Sequence, residues 1–124
     1  MFKKLLILLS TIALVGCQST LSESKPSFRS NASWYSSGKR TASGQRFNPN
    51  GYSAAHRTLP FGTVLHLTNP SNGRKISAIV NDRGPFVKGR TLDVSRGAAS
   101  ALGFINKGTT PLIVEVQNTR GGTR

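Results

Sequence analysis

A β-branched apolar run, Lys75-Ile76-Ser77-Ala78-Ile79-Val80, leads into Asn81-Asp82-Arg83-Gly84-Pro85-Phe86, where Gly84 and Pro85 cannot continue a central strand. Asp82 is therefore expected at a strand end. A carboxyl held on a rigid strand and aimed at a cleft is a common way to build an acid/base group. The field of candidates is narrow, because the only acidic residues are Glu23, Asp82, Asp93 and Glu115. A second reading of Asp82 stands beside the first: an aspartate that caps its own turn and pairs with Arg83.

The elements that must position these groups read mainly as strands. Ala32 to Ser36 carries aromatics in an extended pattern, and Thr63 to Thr68 alternates with Leu65 and Leu67 on one face. Asn69-Pro70-Ser71-Asn72-Gly73 is a turn, so Thr63–Thr68 and Arg74–Asn81 are expected to form a hairpin. Arg90–Val94 and Leu112–Val116 give two further strands. Between them one helix fits, capped by Ser95, built on Ala98, Ala99, Ala101 and Leu102, and ended by Gly103. Short strands punctuated by Gly and Pro in so small a domain mean an all-β barrel or sandwich.

The N-terminal residues bear on compartment. Met1-Phe2-Lys3-Lys4 is a short basic segment, Leu5 to Leu14 is apolar apart from Ser10 and Thr11, and Leu14-Val15-Gly16-Cys17 resembles a bacterial lipobox. Residues 1–16 are expected to be a signal peptide, and Cys17 the lipidated, membrane-anchored N-terminus of an outer-membrane lipoprotein facing the periplasm. A buried free cysteine would leave the basic-then-apolar order unexplained. With a single cysteine no disulfide can form within the chain, so the domain must hold together by its core. Residues 17–30, rich in Ser, Thr and Lys, read as a flexible linker; 31–118 as the folded domain; and 119–124 as a frayed tail.

Removing residues 1–16 takes away two of the seventeen cationic residues, leaving fifteen against four acids, a formal charge of +11. Such a surface attracts polyanions. Nucleic acid is set aside, because the lipoprotein signal directs the chain out of the cytoplasm and no basic helix, zinc finger or RNA-binding signature is present. Phospholipid head groups, lipopolysaccharide and cell-wall carboxylates remain, beside a solvated basic surface with no specific partner.

Five motifs in one continuous order carry a resemblance. They are Ala32-Ser33-Trp34-Tyr35; Thr41 to Asn48; Ala54 to Thr63; Asn81-Asp82-Arg83-Gly84-Pro85-Phe86; and Leu92-Asp93-Val94-Ser95 with Ala101-Leu102-Gly103. Together they are similar to the rare lipoprotein A family. The resemblance implies a six-stranded double-psi β-barrel with one or two short helices, like that of barwin and expansins. It also implies peptidoglycan glycan strands as the partner and lytic transglycosylase chemistry, which leaves a 1,6-anhydromuramic end. In that chemistry the C6 hydroxyl of muramic acid attacks its own C1, so one carboxyl can act first as acid and then as base. Inverting hydrolysis needs two. By its place in the family motif Asp82 is expected to be catalytic, with Asp93 and His56 in support. Trp34, Tyr35, Gln45, Asn48 and Arg83 are expected on the substrate side. No cofactor or metal is expected, and a monomer is.

One departure bears on activity. Active relatives commonly read Gly-Glu-Arg-Phe-Asp where this chain has Gly44-Gln45-Arg46-Phe47-Asn48, so both acids are amides here. Amides keep the hydrogen bonding but cannot exchange a proton in catalysis. The alternative function is therefore a noncatalytic, expansin-like glycan-binding lipoprotein.

Overall fold

In sequence order the chain forms β1 (Ser27–Tyr35), β2 (Ser53–Ala55), β3 (Val64–Thr68), β4 (Lys75–Asp82), β5 (Leu92–Ser95), α1 (Arg96–Leu102) and β6 (Thr109–Val116). The structure, a computed structural model, describes residues 26–38 and 40–117. The six strands close into a barrel in the order β1-β5-β2-β4-β3-β6. Two neighbouring pairs, β1 with β5 and β2 with β4, run parallel; the others are antiparallel. Closure removes the exposed sheet edges that an open sheet of this size would present.

The core follows from strand alternation. Leu65 and Leu67 of β3, Ala78 and Val80 of β4, Leu92 and Val94 of β5, and Leu112 and Val114 of β6 are all buried. They join Ala32 and Ala54 with Ala98, Ala99, Leu102 and Phe104 from the α1 region in one cluster. In each of these strands the buried residues lie two apart, which turns one face inward. Helix α1 packs on the barrel against β4, β1 and β5.

Helix α1 has the expected boundaries. Ser95 caps it by accepting from the Ala98 N–H at 3.4 Å, and Gly103 ends it with a left-handed φ of 79°. Glycine at position 97 has a steric reason: a Cβ there would lie 2.6 Å from the Asn50 carbonyl oxygen. The first turn of α1 thus presses directly on the loop leading into β2, and the Gly97 N–H donates to the Pro49 carbonyl at 2.8 Å.

Two boundaries differ from the sequence reading. Ser27 to Ser30, assigned to the linker, belong to β1, because they pair antiparallel with Leu112 to Glu115 of β6 while Phe28 packs against the core. Strand β2 was not foreseen as a strand: three residues without a β-branched side chain give no periodic signal, and only their pairing with β4 and β5 extends them. The expected hairpin is present as β3 and β4, and the expected single helix as α1. The signal peptide, Cys17 and the 119–124 tail lie outside the described residues.

Ser95 does more than cap the helix. It is fully buried, donates to the Gly51 carbonyl at 2.6 Å and accepts from the Ser53 N–H at 3.2 Å. One hydroxyl therefore ties the β5–α1 junction to the start of β2. Ser95→Ala is expected to destabilise the barrel by about 3 kcal/mol, since it strands a buried carbonyl and N–H and removes the cap. Urea unfolding checks this, and a loss under about 1 kcal/mol would mean that these groups find other partners.

Candidate active site

The two aspartates are brought together by register. Ala55 of β2 is the partner of Asp93 on β5 and also of Asp82 on β4, while Ser33 of β1 pairs with Asp93. Ser33, Asp93, Ala55 and Asp82 thus form one row across four strands. With strands about 4.8 Å apart, the two aspartate backbones stand about 10 Å apart. Ala55 contributes only a methyl group between them. A register shift between Ala54 and Ala55 lets β4 advance by two residues, so Asp82 leaves the alternation that buries Ala78 and Val80.

The Asp82 carboxyl is held asymmetrically. Its Oδ1 accepts the Ala42 N–H at 2.8 Å and the Arg83 N–H at 2.9 Å. Among the described residues Oδ2 has no hydrogen-bond donor and Asp82 has no ion pair. Ala42 belongs to a tight hairpin, residues 40–46, in which Arg40 bridges Arg46 and the Thr41 N–H donates to the Gln45 carbonyl at 2.9 Å. That hairpin also docks through Ser43 N–H on the Asn81 carbonyl at 3.1 Å. One carboxylate oxygen is immobilised and the other is open.

Asp93 is differently placed. Its Oδ1 accepts from the Ser33 hydroxyl and lies 3.5 Å from Arg90 Nε. Its partners are thus a cation and a hydroxyl, whereas Asp82 has only backbone amides. Tyr35, two residues beyond Ser33 on the same face of β1, stacks on Phe47 at 4.9 Å. Burial pushes its phenol up to about 12; the Ser53 hydroxyl opposes the rise, and Asp82 and Asp93 add to it. Tyr35 therefore stays a hydrogen-bond donor at any physiological pH. The Tyr35 and Ser53 hydroxyls are both buried, without a hydrogen-bond partner among the described residues.

Two arginines fix the loops that border this row, and they do so reciprocally. Arg83 Nη1 donates to the carbonyls of His56 at 3.3 Å and Leu59 at 2.8 Å, with its guanidinium 3.9 Å above the Phe61 ring. Arg57 reaches back, donating to Pro85 at 2.6 Å and to the Val87 and Arg90 carbonyls at 3.1 Å each. The expected Arg83–Asp82 ion pair does not form; Arg83 contacts Asp82 through its backbone N–H, and its Nη1 clamps a loop. Arg57 was missed, because nothing in the local sequence separates a clamp from a solvated arginine.

The remaining expected residues divide. Trp34 follows Ser33 and precedes Tyr35, so alternation turns it to the other face, where it packs on the core and donates from Nε1 to the Ile105 carbonyl at 3.2 Å. Gln45 Oε1 accepts from Asn81 Nδ2 at 3.3 Å, next to Asp82. Asn48 Oδ1 instead accepts from the Asn50 N–H at 3.0 Å and shapes its own turn. A concavity of about 610 Å³ opens beside Phe47, lined by Gly38, Arg40 and Arg46. Another, of about 380 Å³, is lined by β3, β4 and β6 residues including His66 and Glu115, and contains neither Asp82 nor Asp93. The described residues hold no cluster of metal-ligating side chains.

His56 closes the β2 end of the row. Its N–H donates to the Asp82 carbonyl at 3.2 Å, and its Nδ1 accepts the N–H groups of Thr58 and Leu59 at 3.1 Å each. An accepting Nδ1 requires the neutral ring with its proton on Nε2. Burial, with Arg83 and Arg57 nearby, holds its pKa below the usual 6.5. His56 therefore contributes stability that is full above 6.5 and is lost as the pH falls through the lowered folded value. His56→Asn keeps an acceptor without titrating, and it is expected to flatten the fall in Tm between about pH 7.5 and about pH 5. An unchanged slope would place the acid sensitivity elsewhere.

Comparison with known proteins bears on the family and the fold. Residues 27–115 match the family described as lytic transglycolase. The "Probable endolytic peptidoglycan transglycosylase RlpA" of Nostoc sp. is 50% identical over 95 residues, covering 73% of this chain and 26% of the relative. The corresponding "Endolytic peptidoglycan transglycosylase RlpA" of Campylobacter jejuni is 49% identical over 88 residues, 68% of this chain and 32% of the relative. The "Probable endolytic peptidoglycan transglycosylase RlpA" of Aquifex aeolicus is 53% identical over 91 residues, 71% and 40%. The matched region thus spans between about a quarter and two fifths of these relatives. Among solved structures, a Streptomyces papain inhibitor superposes with a TM-score of 0.63 at 18% identity, covering 75% of this chain and 96% of the inhibitor. A Clavibacter michiganensis expansin does so with a TM-score of 0.63 at 21% identity, covering 78% and 53%. At these identities the structural likeness speaks for the double-psi β-barrel fold alone. With its barrel strands, both aspartates and the loops around them inside the matched region, the chain belongs to the lytic transglycolase family of double-psi β-barrels, with the RlpA proteins as relatives.

Proposed function

We propose that this barrel is a peptidoglycan lytic transglycosylase that cleaves the MurNAc–GlcNAc bond and leaves a 1,6-anhydromuramic end. The observation that carries the reading is the Asp82 carboxyl, with Oδ1 tied to two backbone amides and Oδ2 open on the row shared with Asp93. Protonated Oδ2 delivers its proton to the glycosidic oxygen as the C1–O bond breaks. The C6 hydroxyl of the same muramic residue then bonds to C1 and returns its proton to Asp82, so no water is consumed. Positive charge develops at C1 on the way, and a carboxylate at Asp93, on the same row, would favour it. His56 acts as a positioning residue, because its Nδ1 already holds the Thr58–Leu59 turn.

The membrane part of the reading rests on the Leu14-Val15-Gly16-Cys17 sequence: acylation of Cys17 would anchor a monomer in the outer membrane, facing the periplasm. The linker then lets the barrel reach the wall, and the formal charge of +11 after removal of residues 1–16 favours an anionic polymer. The noncatalytic reading draws on Gln45, which stands where active relatives carry an acid and contacts the residue preceding Asp82.

Incubating the full chain in detergent with purified sacculi, followed by mass spectrometry for anhydro-muropeptides, separates the two. Wild type is expected to release them, and Asp82→Asn to lower the yield at least about a hundredfold. Gln45→Glu, which keeps the acceptor for Asn81 and sets a negative charge near Asp82, is expected to raise the rate severalfold by favouring the proton-bearing carboxyl. Asn48→Asp is expected to change little, since an aspartate accepts the same turn hydrogen bond. Wild-type yield from Asp82→Asn would refute the assignment. Glycan binding without product from any variant would make the barrel a binding module.

A further inference from the structure

The 40–46 hairpin that holds Asp82 carries a charged feature the proposed chemistry does not use. Arg40 and Arg46 oppose one another across an isolated antiparallel bridge, both exposed, and they line the concavity of about 610 Å³ with Gly38 and Phe47. Like charges placed directly opposite on paired strands repel. The only ion pair among the described residues joins Arg90 to Asp93, so no carboxylate of the described chain pairs with either guanidinium. Arg40 Nη1 donates to the Gly44 carbonyl at 3.2 Å, and the other N–H groups of both forks have no partner among the described residues. A guanidinium is planar, always charged and matched to a carboxylate by two parallel N–H donors.

Position gives this pair its meaning. Phe47, in the wall of the concavity, stacks on Tyr35, which lies in the field of both Asp82 and Asp93. Ala42, whose N–H holds Asp82, is two residues from Arg40, a backbone distance of at most about 7 Å. We propose that Arg40 and Arg46 form an anion subsite next to the Asp82 groove, taking a carboxylate carried by the bound glycan strand; this rests on the reading of such a strand as substrate. Two sources share that chemistry. A muramyl lactyl group is a free carboxylate where no peptide is attached, and a stem peptide carries carboxylates of its own. The subsite would set the register of the strand on the barrel, since a carboxylate seated there fixes which glycosidic bond lies over Asp82.

The test is a binding titration of the full chain with soluble peptide-free strands, with peptide-bearing strands, and with both after conversion of their carboxyls to amides. R40Q/R46Q is expected to lose about tenfold in affinity for at least one carboxylate-bearing preparation and less than about twofold for its amidated form. K75Q/K107Q removes the same charge from exposed positions elsewhere and is expected to lose less than about twofold on every strand. Loss on peptide-free strands supports the subsite with the lactyl carboxylate as its ligand, and loss on peptide-bearing strands alone supports it with the stem peptide. Equal loss in the control double variant, equal loss on amidated strands, or no loss overturns it. Both arginines are exposed, so Tm is expected within about 3 °C of wild type, and the single variants carry the comparison if the double variant falls further. Anhydro-product measured in parallel keeps the two proposals apart. Arginine-dependent binding without product supports the subsite and overturns the enzyme, while product with arginine-independent binding overturns the subsite alone.

Discussion

The site depends on one short strand paired on both sides. β2 is three residues long, yet Ala55 is in register with Asp93 on one edge and Asp82 on the other. Barrel closure supplies that arrangement, since β2 has no hydrophobic periodicity of its own and is extended only by its neighbours. Ser95 and the Gly97 contact pin the approach to β2 against the start of α1, so the core that stabilises the barrel also sets the aspartates' spacing. A sheet row is a stiff ruler, because each strand spacing is set by backbone hydrogen bonds and not by side-chain rotamers.

The loops at that end use positive charge as structural material. Arg57 and Arg83 each donate to backbone carbonyls of the other's loop, so neither loop can move far without breaking hydrogen bonds made by a charged donor. His56 joins the same lattice through Nδ1, and the two guanidinium groups with burial keep its ring neutral. A strongly basic composition therefore has three uses here. Some arginines clamp loops, Arg90 offsets Asp93, and Arg40 and Arg46 remain for an external anion.

The two carboxylates show how environment separates residues that composition treats alike. Asp93 sits against a cation and a hydroxyl, while Asp82 has one oxygen fixed by N–H groups and the other free. Tyr35, in the field of both, stays protonated because burial and negative neighbours both oppose its ionisation. Such a set places two carboxyls with different partners on one row of a rigid barrel.

Local pattern was enough for much of this. Alternating leucines foretold β3, and runs rich in β-branched residues foretold β4 and β6; the Ser95 and Gly103 caps foretold α1; and a strand running into Gly84-Pro85 placed Asp82 at a strand end. The short list of four acids limited the carboxyl chemistry, and the ordered motifs named the family and pointed to Asp82 and Asp93. Those features are legible because they are written in side-chain period, turn chemistry and composition, all of which act over a few residues. What the tertiary structure alone decided is relational. It turned Trp34 away from Tyr35, gave Asn48 to its own turn, sent the Arg83 guanidinium to the His56 and Leu59 carbonyls, and left the Asp82 carboxyl held by backbone N–H groups while Asp93 took a hydroxyl and a cation. Each outcome depends on partners far away in sequence, such as Ser33 with Asp93 or Ala42 with Asp82, and only closure of the barrel brings those partners within hydrogen-bond reach.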